Sequence, residues 1–182
     1  MTTVPVHKAS RIAIPLSVGA AAAVALGVYG RIHDPTGVAI DIAGFSSFRS
    51  VKAWLATLAL VLGLLQVVSA MALFGHFRAL AGRAWVGPVH RWSGRAAVAV
   101  TLPVVAHCLY ALGFQYGEPR VLIHSLLGCF FYGAFVVKML SLSRTDAPSW
   151  LLPLAGGAVF TGLVGLWLTS SLWFFTTFGI IR

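Results

Sequence analysis

Five apolar stretches, at residues 12–29, 53–74, 88–114, 121–140 and 150–174, leave this chain few folds to choose from. An α-helix rises ~1.5 Å per residue, so roughly 20 apolar residues cross the hydrocarbon core of a bilayer. Each stretch has about that length. The chain has 182 residues, of which 59% are hydrophobic and 9% charged. Its mean hydropathy is +0.91, too apolar to cover a soluble globule with polar surface. The expected architecture is all-α: a polytopic bundle of five transmembrane helices forming a single membrane domain over 1–182, in the plasma membrane. The lipid bilayer is its first partner.

A formal net charge of +9 would suggest nucleic acid in a soluble protein. Here the Lys and Arg residues fall almost entirely between the apolar runs, where they mark topology instead, so no nucleic-acid partner is expected. Arg78, Arg83, Arg91 and Arg95 share one gap with no acid, which makes that gap cytoplasmic. The N-terminus is then inside and the C-terminus outside. The first crossing follows His7, Lys8 and Arg11 and reads as a signal anchor rather than a cleaved leader. The linker over 31–52 carries the turn signal Asp34-Pro35-Thr36-Gly37 and Asp41, and belongs on the outer face. Residues 115–120 form an outer loop and 141–149, with Arg144, an inner one. Lys138 snorkels toward the inner face. Trp173, Phe174, Phe175 and Phe178 suit a headgroup boundary, and the glycines at 156, 157, 162 and 165 form a small-residue face for close packing. Cys108 and Cys129, on separate crossings, could form a disulfide in principle but read better as two free buried thiols packing as small hydrophobes.

The histidines carry what chemistry the sequence offers. An imidazole in hydrocarbon forgoes its water and needs a metal, a proton path or a polar partner in return. His7 and His33 lie in polar flanks and read as solvated or headgroup-level residues. His76 closes the second crossing and His90 opens the third, so each is either an interfacial polar residue or half of an inner metal or quinone site. His107 lies seven residues, ~10 Å, below the outer end of the third crossing, and His124 three residues into the fourth. Folding the hairpin about its loop sets residue 124 opposite residue 111, one turn above His107. Pro103 is expected to bend the helix one turn before His107, and Ala111 and Gly128, each four residues beyond a histidine, leave room for a flat porphyrin. Bis-histidine haem b suits this pair better than zinc, which lacks further ligands here. One haem is expected, with a second possible. His90 and His107 point roughly 100° apart on an ideal helix, so two haems stacked on one helix face are not expected.

The segment HRWSGRAAVAVTLPVVAH, from His90 to His107, resembles the histidine-arginine-x-x-glycine start and downstream helical histidine of transmembrane b-type cytochromes and ferric-reductase-like membrane domains. The stretches VYGRIHDPTG, VHRWSG, AHCLYALGF, VLIHSLLGC and GLVGLWLTSSLWFF are similar to a small family of actinobacterial membrane proteins related to them. The resemblance implies electron transfer, with His107 and His124 as axial iron ligands and His90 as a further ligand or propionate-side residue. His76 is its partner if a second haem is bound. Arg120, beside His124, is the expected propionate partner. The His90–His107 spacing exceeds that of two-haem stacks and the fifth crossing has no histidine. The implied role is therefore carriage of electrons between quinol, or another membrane donor, and a redox partner, rather than conduction across the bilayer. Two other classes stay open. A haem-free accessory or assembly subunit of a larger membrane complex would be colourless, with its histidines bonded to neighbours. A small transporter would need polar groups near the midplane, where only Gln66, Ser69 and Thr101 lie deep.

Overall fold

In a computed structural model of the chain, residues 10–38 and 47–180 are described, so His7, Lys8 and Asp41 lie outside the described residues. The described residues contain helices and no strand. α1 runs Ser10–Ile32, α2 Phe48–Leu73 and α3 Val86–His107, which continues as a π-helical segment, π1, over Cys108–Leu112. α4 runs Pro119–Leu142 and α5 Leu151–Trp167, then a second π segment, π2, over Leu168–Leu172 leads into α6, Trp173–Phe178. Five segments are long and apolar enough to cross a membrane: Arg11–Ile32, Arg49–Leu73, Val86–Leu112, Pro119–Leu142 and Leu151–Phe178. The chain is a multi-pass membrane protein. Large apolar side chains such as Val24 and Leu154 stand more than 60% exposed on the outside of the bundle, as lipid-facing residues do.

The helices form a ring in the order α1, α4, α5, α2, α3, and π1 returns to α1. α3 and α4 are consecutive in the chain, yet each packs mainly on other helices: α3 on α2, and α4 between α1 and α5. The face-to-face hairpin suggested by the short loop is thus replaced by two helices on opposite sides of a cleft. They meet deeper in the bundle, where Tyr132 Oη donates to Thr101 Oγ1 at 3.0 Å.

Close packing at small residues builds the ring. A Cβ on Gly133 would stand 2.7 Å from the Gly19 carbonyl oxygen and 2.9 Å from Ala23 Cβ, so α1 and α4 touch backbone to backbone there. Gly162 and Gly165 admit Phe130 and Leu127 of α4, whereas Gly156 and Gly157 have open space in front of them. Ala59, Phe131 and Leu163 form the buried centre where α2, α4 and α5 converge. Polar bonds tie α5 and π2 to α2: Trp167 Nε1 donates to Thr57 Oγ1 at 2.9 Å, and Ser171 Oγ donates to the Ala53 carbonyl at 3.1 Å.

α3 stays α-helical through Pro103 as far as His107 and then continues as π1. Gly113 then ends the helix at φ +70°, a conformation glycine adopts freely, with the Gly30 carbonyl 2.9 Å from where a Cβ would sit. This tight crossing seats the loop over 113–118 on the end of α1, where Phe114 N–H donates to the Gly30 carbonyl at 2.6 Å.

Candidate functional site

The cleft between α3 and α4 has a volume of about 280 Å³, near the lower end of the range for small-molecule sites. It opens at the end of the bundle that carries Arg120. α3 and π1 contribute Val104, Val105, Cys108, Leu109 and Leu112, and α4 contributes Val121, Gly128, Cys129 and Tyr132. Trp173 and Phe174 close it from α6, and Ala53 and Ala56 from α2. Arg49, Lys52 and Arg120 also line the cleft, and no lining residue is an acid. In a low-dielectric surrounding, three cations and no carboxylate favour an anionic group at that mouth.

His124 is the only imidazole among the lining residues. It sits on the second turn of α4, whose entry is set by Pro119 in the first turn. Its Nδ1 lies 2.9 Å from Thr169 Oγ1 of π2. Arg120, one turn earlier on the same face, donates from Nη1 to the Thr169 carbonyl at 2.8 Å. Its guanidinium stacks 4.0 Å above the Trp173 ring and lies 3.8 Å from Glu118, an exposed carboxylate contributing little. Arg120 is thereby pinned at the mouth rather than left mobile in the headgroups.

His107 is buried, at 7% exposure, with Nε2 wholly withdrawn from solvent, but it is not on the cleft wall. At 100° per residue it lies roughly 130° from the centre of the face defined by Val104, Val105, Cys108 and Leu109. Lys52 of α2 is its electrostatic neighbour. The structure thus places His124 in the cleft and His107 on α3 turned away from the cleft wall.

His90 and His76 lie at the opposite end of the bundle and line no part of the cleft. His90 Nδ1 lies 2.8 Å from Ser69 Oγ, and that hydroxyl donates to the Leu65 carbonyl at 2.6 Å. Gln66 Nε2 donates to Ser93 Oγ at 2.7 Å and also to the His90 carbonyl. These four residues form a polar seam that joins α2 to α3. His76 is exposed, just beyond α2, and its N–H donates to the Met71 carbonyl at 2.9 Å. Among the described residues, no group of three or more His, Cys, Asp or Glu side chains gathers as a metal cluster, and both cysteines are free thiols.

Two features near the site are not apparent from the sequence. Arg49 and Lys52 belong to α2 rather than to the preceding linker, because Ser47 caps the helix by accepting from Ser50 N–H at 3.3 Å. The Ser47–Ser50 spacing was the available signal. His33, expected to be solvated or at headgroup level, is sandwiched between the rings of Tyr29 and Tyr110, with centroids at 5.1 and 5.0 Å, and its Nε2 donates to the Tyr110 carbonyl at 3.1 Å. No sequence spacing indicates that contact, because it requires π1 to bring residue 110 to the end of α1.

Tested against haem b, these residues fit in three respects. His124 lines the cleft with Nδ1 already engaged by Thr169, three cations line it and could pair with carboxylates, and a Cβ on Gly128 would meet nothing within 4 Å, leaving that wall flat. The fourth requirement, a second imidazole on the opposite wall, is not met as the helices stand, since His107 is turned roughly 130° from the centre of that wall. Sequence and structure comparisons match no curated protein and no solved structure to this chain. A family model matches residues 12–182, nearly the whole chain, and the protein is a member of DUF6529, a family of unknown function.

Proposed function

We propose that this protein is a membrane haem b protein that carries electrons between the quinol pool, or another membrane donor, and a redox partner. The observation that supports it is His124, engaged through Nδ1 on the wall of an apolar cleft whose charged residues are all cations. When bound, haem would supply one-electron redox chemistry without proton transfer at the iron. The chain's own residues provide the setting. His124 would offer Nε2 to the iron, and His107, on α3 but turned away from the cleft wall, would be the second candidate ligand. Arg120, Lys52 and Arg49 offer charge-assisted bonds to propionates at the cleft mouth. The valine, leucine and aromatic walls would keep water from a bound haem, and that burial would tune its potential. His90, bonded to Ser69, serves in the α2–α3 seam in this reading, so one haem per chain is the proposed complement.

The test is a reduced-minus-oxidised spectrum of the detergent-purified protein, with haem quantified per chain. A b-type α-band at roughly 560 nm and one haem are expected. His124→Ala and His107→Ala are each expected to lose the haem, while His7→Ala retains it. Full haem in both of the first two variants would overturn the ligand assignment. One observation favours a second reading, a haem-free subunit of a larger membrane complex: Gly156 and Gly157 of α5 have no packing partner within 4 Å of a Cβ, as an intersubunit face would. A folded protein that stays colourless after added haemin would move the assignment there.

A further inference from the structure

The geometry points to Thr169 as a positioning residue that fixes the proton of His124 on Nδ1 and so leaves a lone pair on Nε2 at the cleft. A threonine hydroxyl has one hydrogen to give. Thr169 Oγ1 gives it to the Gly165 carbonyl at 2.8 Å, one turn back, with a weaker share to the Leu166 carbonyl at 3.2 Å. Toward His124 Nδ1, 2.9 Å away, the oxygen can then only accept. The imidazole must donate from Nδ1, and in the neutral ring Nε2 becomes the acceptor. No hydrogen bond from Nε2 is formed among the described residues.

The π2 segment makes this arrangement possible. In an α-helix the N–H of Trp173 would pair with the Thr169 carbonyl, but here it pairs with Ser170. The Thr169 carbonyl accepts from Arg120 instead, at 2.8 Å. One residue of π2 therefore receives two side chains from consecutive turns of α4, Arg120 on its carbonyl and His124 on its hydroxyl. π segments inside helices are frequent at functional sites, and this one orients a side chain of a neighbouring helix. The consequence is chemical. His124 can bind a metal ion or accept a hydrogen bond from a ligand in the cleft, and it cannot donate one. The inference deepens the haem reading, since orientation of a ligand imidazole through its other nitrogen is what an axial histidine requires.

The test uses the full-length protein, free of haem, in lipid nanodiscs with ¹⁵N-labelled histidine, at pH about 8, where an ordinary imidazole is neutral. His124→Gln assigns the resonance. The wild type and Thr169→Ser are expected to show a protonated Nδ1 and an unprotonated Nε2 at His124, and Thr169→Val, similar in shape but without the acceptor, is expected to lose that preference. A proton on Nε2 in the wild type overturns the inference even if the variants do not fold, and so does an unchanged spectrum in Thr169→Val. A protein with the expected tautomer that takes up no added haemin overturns the proposed function and leaves the role of Thr169 standing.

Discussion

Replacing Gly133 with alanine tests whether the α1–α4 contact governs the packing of the bundle. The added Cβ would lie 2.7 Å from the Gly19 carbonyl oxygen and 2.9 Å from Ala23 Cβ. Carbon atoms in favourable contact stand about 3.5–4.0 Å apart, so the helices must part by roughly 0.5–1 Å. Both obstructing atoms belong to helix backbone or to a Cβ fixed on it, and neither can move by rotating a side chain. Parting the helices by that amount forfeits about a quarter to a half of each dispersion contact along the crossing. Overpacking of this kind typically costs about 1–3 kcal/mol. Alanine also gains about 1 kcal/mol over glycine in helix propensity, which would mask part of the loss. Gly157→Ala provides the control, because a Cβ there meets nothing within 4 Å and only the propensity gain applies. Comparing the two variants cancels that gain. Reversible unfolding in mixed micelles by rising SDS, followed by far-UV circular dichroism, should find Gly133→Ala less stable than Gly157→Ala by about 1–3 kcal/mol. Equal stabilities would refute the reasoning, since they would mean that the helices part at no cost.

Ser69→Ala removes the hydroxyl that engages His90 across α2 and α3, and interhelical bonds in membranes average about 0.6 kcal/mol with a maximum near 1.7. The same unfolding titration should register a loss in that range, and stability equal to wild type would show that the seam contributes nothing. Outside the membrane-spanning segments, the Arg144 guanidinium, 3.2 and 3.3 Å from the two Asp146 oxygens, holds that carboxyl below the usual range, with Arg11 adding at 3.8 Å. A carboxyl lowered in the folded state contributes stability above its unfolded pKa of about 3.9, and that contribution is lost as pH falls through the lower folded value. Asp146→Asn should therefore be slightly less stable at neutral pH and show a flatter stability profile on the acid side. An identical profile in the variant would exclude this pair as a source of acid sensitivity.

The crossings were legible from sequence because the bilayer alone dictates them: about 20 apolar residues read as a span whatever the span packs against. The ends shifted where local capping, not hydropathy, ruled. α2 begins before residue 53 because Ser47 caps it, and the last span reaches Phe178 because π2 lets the helix continue past residue 172. The neighbour order was not legible. Lipid tails are as apolar as leucine, so no hydrophobic stripe marks which face meets another helix. Gly19 and Gly133 form a close α1–α4 contact, yet neither stands out among the chain's 19 glycines, whereas Gly156 and Gly157, which do stand out as a pair, have no partner within 4 Å of a Cβ.

The site divides the same way. That His124 and Arg120 lie one turn apart at the start of a helix follows from sequence, since spacing on a helix fixes their shared face. That α3 and α4 stand apart around a cleft, that Arg49 and Lys52 line it, and that His107 lies off its wall were decided by packing of α3 on α2 and of α4 on α1 and α5. The bond from His124 to Thr169 joins residues 45 positions apart and depends on a π turn in an uncharged apolar run. By itself, the sequence determined that five helices cross and at what depth each polar group sits, because length and hydropathy act along one chain. Only the tertiary structure decided which polar groups face one another, because that depends on rotations of helices whose apolar surfaces are interchangeable to the lipid.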